Sequence, residues 1–249
     1  MMTVNNVLEY LSEKYPLDTA CDFDNVGLLV GDGNAAVNKA VVCLDCDIDT
    51  VNYAKSIGAK LIVTHHPVIF SGLKSILAGG VVYELVKSDI SVMSMHTNLD
   101  IARCGVTERL CEAIGLTNVK EFIAHDGFMI REAECCITEA DKLAQHIKAS
   151  LGGTVKYADS GREIHRVLVC SGSGGNYLGD VINGGYDALI SADIKHNVFI
   201  DAVNSGVTVF DAGHYSSENV IVKPLCNELK TAFSDIKFIE FNNDKIKSV

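Results

Sequence analysis

Short runs that are apolar at every position recur along this chain. Val41-Val42-Cys43-Leu44, Leu61-Ile62-Val63, Val167-Leu168-Val169-Cys170 and Ala188-Leu189-Ile190 have no polar face. A strand with one side in water alternates apolar and polar residues, so an unbroken apolar run requires a sheet covered on both faces. Helix-length segments lie between the runs. Thr50–Ile57 is closed by Gly58, Val106–Ile114 by Gly115 and Glu139–Leu151 by Gly152, each glycine standing where a helix C-cap favours one. Val4–Leu11 has helical spacing behind Thr3, a good N-cap. Strand–helix alternation of this kind predicts an α/β fold.

Further strands are expected at Leu28–Val30, Ala40–Leu44, Lys60–Thr64, Ile90–Met95, Arg131–Ile137, Val207–Phe210 and Ile236–Phe241. Gly79-Gly80 is expected to break a longer helical region whose second part is Val81–Lys87, and Pro224 to end or kink a helix over Glu218–Phe233. The pattern restarts after about residue 120. This predicts two similar α/β domains, residues 1–125 with about 207–249 as the first and about 126–206 as the second.

With 249 residues, 48% hydrophobic and 21% charged, the chain can bury a sizeable core. Its formal net charge of -11 argues against nucleic acid as a partner, because sequence-independent binding needs a basic footprint. The nine cysteines are odd in number and irregularly spaced, as expected of small buried hydrophobes in a reducing compartment. Cys43-Leu44-Asp45-Cys46 has C-x-x-C spacing, but no second pair follows at zinc-ribbon distance. The start of the chain lacks a basic segment followed by an apolar run, and no stretch approaches a membrane span, so a cytoplasmic, non-membrane protein is expected.

The chemistry gathers where apolar runs end. In open α/β sheets that is where ligands bind, outside the carboxyl ends of the strands. His65-His66-Pro67 closes one strand and His96-Thr97-Asn98-Leu99-Asp100 another, while His214 and Glu218 follow a third. Neighbouring residues inside a strand point to opposite faces, but just past a strand end His65 and His66 can turn toward one cleft. Taken alone, the pair reads equally as one packed and one solvated imidazole. His214 and Glu218, four apart, share a helix face if Ser216 or Ser217 caps a turn there; taken alone, Glu218 reads as a helix N-terminal acid. Three imidazoles with Asp100 and Glu218 exceed what one structural tetrahedral zinc needs, and two ions sharing a carboxylate would use all five. That donor mix suits zinc, iron or manganese.

Ser171-Gly172-Ser173-Gly174-Gly175 follows a strand and is read either as an anion cradle or as a tight turn. Asp193-Ile194-Lys195-His196 offers a carboxylate, a cation and an imidazole in one loop, beside the metal ligands or against substrate. His125, His146 and His165 have no such context and read as surface or core histidines.

Thr64-His65-His66-Pro67, His96-Thr97-Asn98-Leu99-Asp100, Asp193-Ile194-Lys195-His196 and Gly213-His214-Tyr215-Ser216-Ser217-Glu218 resemble the signature blocks of the dinuclear-metal family known as GTP cyclohydrolase 1 type 2 homologues, or Ngg-interacting-factor-three-like proteins. Asp24-Asn25-Val26-Gly27-Leu28-Leu29-Val30-Gly31 is similar to its N-terminal block, so the resemblance runs over nearly the whole chain. It implies two interlocked α/β domains with a strand-end metal site between them, and a homo-oligomeric, six-subunit ring. It implies two divalent ions held by His65, His66, Asp100, His214 and Glu218, with Glu218 bridging. Ala192 departs from the family, which usually has Gly there, as does His196-Asn197 where a His-His pair is typical.

Two functions follow as expectations. One is a metal-dependent hydrolase using metal-activated water on a small nucleotide-like or heterocyclic substrate, with His96 or His196 carrying protons and Lys195 and Asp193 meeting substrate. The other is a non-catalytic metal-binding, regulatory or metal-delivery protein built on the same ligands.

Overall fold

The protein is described here by a computed structural model over residues 1–247. In chain order the elements are α1 (Val4–Lys14), β1 (Gly27–Val30), β2 (Lys39–Cys43), α2 (Ile48–Ile57), β3 (Leu61–Thr64), α3 (Val81–Lys87), β4 (Ser91–Ser94), α4 (Thr97–Ile101), α5 (Val106–Ala113), β5 (Thr117–Ile123), β6 (Met129–Glu134), α6 (Ala140–Leu151), β7 (Lys156–Ala158), β8 (Arg166–Ser173), α7 (Leu178–Gly184), β9 (Ala188–Ala192), α8 (His196–Asn204), β10 (Thr208–Asp211), α9 (His214–Glu218), α10 (Val222–Ala232) and β11 (Lys237–Glu240). No helix among the described residues is long and apolar enough to cross a membrane.

The chain divides into two compact units, Met1–Ala102 with Val222–Lys245, and a second built on Arg103–Ile221. Each contains one sheet. The sequence places the return to the first domain near residue 207, but β10 lies inside the second sheet, hydrogen-bonded to β9 and β7, and the chain returns only at Val222. The first strand of the second sheet, β5, also starts before the expected boundary, at Thr117.

In the first unit the strand order is β1-β4-β3-β2-β11. β4, β3, β2 and β11 run parallel, and β1 joins the edge antiparallel. The expected apolar runs occupy the middle, and every residue of β3 and β4 is buried. The local signals act as the sequence predicts. Thr3 accepts a hydrogen bond from the Asn6 amide while Asn6 Oδ1 accepts from the Thr3 amide, closing a reciprocal cap on α1. α2 ends, as expected, at Gly58 in the left-handed conformation; its N-cap, which the sequence reading did not single out, is Asp47.

The second unit has the order β5-β6-β8-β9-β10-β7, with β8, β9 and β10 parallel in the middle and antiparallel strands on both sides. Val167 and Val169 pack into one hydrophobic cluster and Leu168 and Cys170 into another, so β8 is apolar throughout because both its faces are covered. Burying an aliphatic side chain of this size contributes roughly 1.5–3 kcal/mol, which makes this doubly covered strand a principal anchor of the unit.

Three local expectations need correction. Residues 67–80 form no helix: the segment is irregular and mostly exposed, and helix begins only at Val81. The expected interruption of the helix over Glu218–Phe233 is present, but as a tighter turn over Asn219–Ile221 ahead of Pro224, which is the third residue of α10, where the backbone amide has no helical partner to lose. Ser171 to Ser173 are not a loop but the end of β8, with an irregular register between Val169 and Ser173.

Candidate functional site

In the first unit the parallel register sets Cys43 beside Thr64 and Thr64 beside Ser94. The residues that leave these strands therefore emerge side by side, about 4.8 Å apart per strand. Asp45 follows β2, His65 and His66 follow β3, and His96 follows β4. The three imidazoles converge: ring centroids are 5.0 Å apart for His65 and His66, 5.2 Å for His65 and His96, and 5.6 Å for His66 and His96. One nitrogen from each lies within 4.8 Å of the others, a group able to hold a metal ion.

Each ring is held through Nδ1. His65 donates to the Met95 carbonyl at 2.7 Å, His66 to Asp45 Oδ1 at 2.7 Å and His96 to Asp24 Oδ1 at 2.8 Å. A carbonyl or carboxylate oxygen only accepts, so in each ring Nδ1 carries a proton, and in the neutral ring the lone pair then sits on Nε2, the tautomer a metal requires. His65 is 1% exposed and its Nε2 lies 3.5 Å from Asp100 Oδ1. Asp100 sits on α4, 8% exposed, brought there by the helical turn that starts at His96.

Asp24 carries more than one load. It also accepts from the Thr97 amide at 3.0 Å and from the Thr97 hydroxyl. Burial alone would raise its carboxyl, but the hydrogen bonds from His96 and Thr97 outweigh that and hold it far below the usual carboxylate range. Asp24 is therefore a fixed anion behind His96.

The second unit holds the other pair. His214 opens α9 and Glu218 ends it, so one turn places them together: His214 Nε2 is 3.0 Å from Glu218 Oε2. The helix starts at His214 itself rather than at a serine cap between the two. Ser217 instead accepts from the Gly172 amide at 3.3 Å and donates to the His214 carbonyl at 2.9 Å. His214 Nδ1 donates to Asp193 Oδ2 at 2.7 Å, repeating the pattern of the first unit. Asp193 reaches it from a left-handed turn (φ 52°) past β9; Asp tolerates that region. Ala192 lies within β9 and does not have a positive φ, so it fits where the family usually has Gly.

Glu218 is 3% exposed. Its room comes from Gly172, where a Cβ would overlap Glu218 Oε1, and whose own φ is 60°. The glycine-rich segment thus makes space for a buried carboxylate; its Gly172 amide is spent on Ser217. Lys195 and His196 begin α8, both exposed, and neither belongs to the clusters among the described residues. His125, His146 and His165 lie elsewhere: His125 Nδ1 pairs with Asp180, His146 Nε2 meets the Ile114 carbonyl, and His165 Nε2 lies 3.3 Å from Glu163.

Sequence reasoning missed the roles of Asp24, Asp45 and Gly172. Asp45 had the same signal as His65, a polar residue closing an apolar strand. Asp24 is 72 positions from His96, and nothing local links them.

The sequence model of the Duf34/NIF3 (NGG1p interacting factor 3) family matches residues 2–245. A Clostridium perfringens protein named GTP cyclohydrolase 1 type 2 homolog is 31% identical over 96% of this chain and 95% of its own length. A Lactococcus lactis protein of the same name is 30% identical over 94% and 93%. Among solved structures, Staphylococcus aureus protein SA1388 superposes with a TM-score of 0.90 at 27% identity, covering 100% of this chain and 99% of that one. Reduced HcgD from Methanocaldococcus jannaschii superposes with a TM-score of 0.82 at 27% identity, over 96% and 97%.

Proposed function

The chain belongs to the Duf34/NIF3 family, and from that premise we propose that it is a dinuclear metal-binding protein and a metal-dependent hydrolase. His65, His66, Asp100, His214 and Glu218 would together hold two divalent ions, zinc, iron or manganese. The observation that carries this reading is the shared state of the rings. His65, His66, His96 and His214 each have Nδ1 engaged by an oxygen acceptor, which in the neutral ring places the lone pair on Nε2. Outer partners of this kind fix the tautomer and orientation of ligating imidazoles. The imidazole and carboxylate donors suit borderline divalent ions.

Such ions supply Lewis acidity and acidify water toward neutral pH. The chain's own residues do the rest. Asp45 and Asp193 hold His66 and His214 in place. His96, backed by the Asp24 anion, carries a proton at Nε2, with His196 the alternative carrier. Lys195 neutralises an anionic group of the substrate. The substrate class is a small nucleotide-like or heterocyclic molecule, the direction in which the relatives' name points. The working form is a homo-oligomer, a six-subunit ring, in the cytoplasm.

The burial of His65, Asp100 and Glu218 favours a second reading, in which the same ligands store or deliver metal without turnover. Elemental analysis of freshly purified protein beside the His66→Ala and Glu218→Ala variants decides the first step. About two transition-metal ions per chain are expected, lost in both variants; no metal in any preparation would overturn the proposal. A nucleotide panel then separates the readings, since turnover that disappears with the metal establishes the hydrolase and metal without turnover establishes the store.

A further inference from the structure

Two phenylalanines stand exposed beside the histidine cluster of the first unit. Phe23 is 66% exposed and Phe70 52%. Their ring centroids are 6.3 Å apart at an interplanar angle of 50°. Phe70 also meets His96 edge-on, centroids 6.2 Å apart at 83°. Leaving two large aromatic faces in water forgoes the stabilisation that burial would give each.

The pair is tied to the cluster through three consecutive residues. Phe23 supplies one ring. Asp24 holds His96 and Thr97. Asn25 donates through Nδ2 to the Ile69 carbonyl at 2.5 Å, which fixes the backbone next to Phe70, and its own amide donates to Asp24 Oδ1 at 2.7 Å. A segment that only covered apolar surface would not need to share its anchor with His96. Here Phe70 and His96 are held by adjacent residues, so the open aromatic face and the imidazole keep a fixed spacing.

We propose that Phe70, flanked by Phe23, is a stacking ledge for a planar heterocyclic ring, holding it against the His96 side of the cluster. This rests on the hydrolase reading and makes its substrate class specific: the ring, rather than a sugar or phosphate, is what the first unit grips. An aromatic face is tolerant of ring identity because every heterocycle offers a π-face, and such stacking contributes enough to set affinity.

The chain has no tryptophan, so Phe70→Trp and Phe23→Trp each create a single fluorescent reporter on a position already open to solvent. Each variant is titrated with guanosine, adenosine and ribose 5-phosphate, as purified and after chelator treatment, with metal content measured in parallel. The nucleosides are expected to quench both reporters saturably and ribose 5-phosphate to leave them unchanged. Adding Phe70→Leu to the Phe23→Trp protein should weaken nucleoside binding about tenfold without changing metal content. Absence of quenching by either nucleoside, or equal quenching by ribose 5-phosphate, would overturn the ledge. So would reporter emission that shifts with protein dilution and ignores nucleosides, which would mean that a second copy of the chain covers the patch. Metal without quenching removes the ledge and leaves the metal reading standing; quenching without metal in any preparation does the reverse.

Discussion

The first unit presents three imidazoles past the ends of neighbouring parallel strands, each steadied by a different partner: the Met95 carbonyl, Asp45 and Asp24. The second presents one imidazole and one buried carboxylate on a single helical turn, steadied by Asp193 and given room by Gly172. The same chemistry is thus built in two ways. In the first unit the strand register makes the arrangement, and each ring could lose its partner while its neighbours stay aligned. In the second, the position of Glu218 depends on one residue having no side chain. Loss of an outer partner should therefore degrade the first cluster gradually, whereas loss of the room at Gly172 should disrupt the second abruptly.

Removing a proposed ligand outright has the largest expected effect on either side. Glu218→Ala should abolish metal binding, and His66→Ala should do so too if the two clusters serve one centre. Elemental content after dialysis without chelator reads the outcome. Metal retained at full stoichiometry in Glu218→Ala, but lost in His66→Ala, would show that the first unit binds metal alone and would break the comparison.

Gly172→Ala comes next. The added Cβ overlaps Glu218 Oε1 and the backbone there has φ 60°. Overpacking with an unfavourable φ should cost about 2–3 kcal/mol, seen as a lowered Tm, with metal lost as Glu218 is displaced. An Ala variant with wild-type Tm and metal content would show that Glu218 has an alternative rotamer, and the abruptness claimed for this half would be wrong.

Substitutions of the outer carboxylates sharpen the contrast at smaller magnitude. Asp45→Ala and Asp193→Ala should weaken metal affinity roughly 10–100-fold, measured by competition with a chromogenic chelator. Both residues are substantially exposed, so thermal stability should change little. Asp24→Ala differs, because it also strands the Thr97 amide and hydroxyl. It should lower stability by about 1–3 kcal/mol as well. Equal thermal effects in Asp24→Ala and Asp45→Ala would refute the idea that Asp24 ties α4 to the segment before β1.

How much of this was legible in the sequence depended on the range of the signal. Unbroken apolar runs identified β2, β3, β8 and β9, because doubly covered strands cannot hide their composition. Polar residues closing such runs marked His65, His66, Asp100, His214 and Glu218 as candidate ligands, and each of them falls in a group that could hold a metal ion. Two strands left no comparable mark. β5 is exposed at five of its seven positions and β7 is only three residues long, so neither shows a pattern. Residues 67–80 are apolar enough to suggest a helix, yet Leu73, Ile76 and Leu77 are exposed and the segment has no helical register to bury them. The Asp24–His96 pairing exists only once the chain has brought the two segments together. Gly172 was visible as part of a glycine-rich run, but what it makes room for lies 46 residues later.

Pro224 gives the smallest expected effect. It lies where the chain has just left the second unit and rejoined the first, two residues after Val222. In the interior of a helix a proline costs ~3 kcal/mol or more, and its replacement by alanine would stabilise the protein. In the first turn it forfeits no helical hydrogen bond, and its fixed φ suits the conformation. Pro224→Ala should therefore destabilise by about 0.4–1 kcal/mol, by restoring freedom to the unfolded chain. For a chain of this length that corresponds to a fall in Tm of roughly 1–4 °C. A rise in Tm would mean that the proline strains the junction between the short turn over Asn219–Ile221 and α10. In that case the stiffness of the chain at its return, as well as Gly172, would bear on how firmly Glu218 is held one residue before that turn.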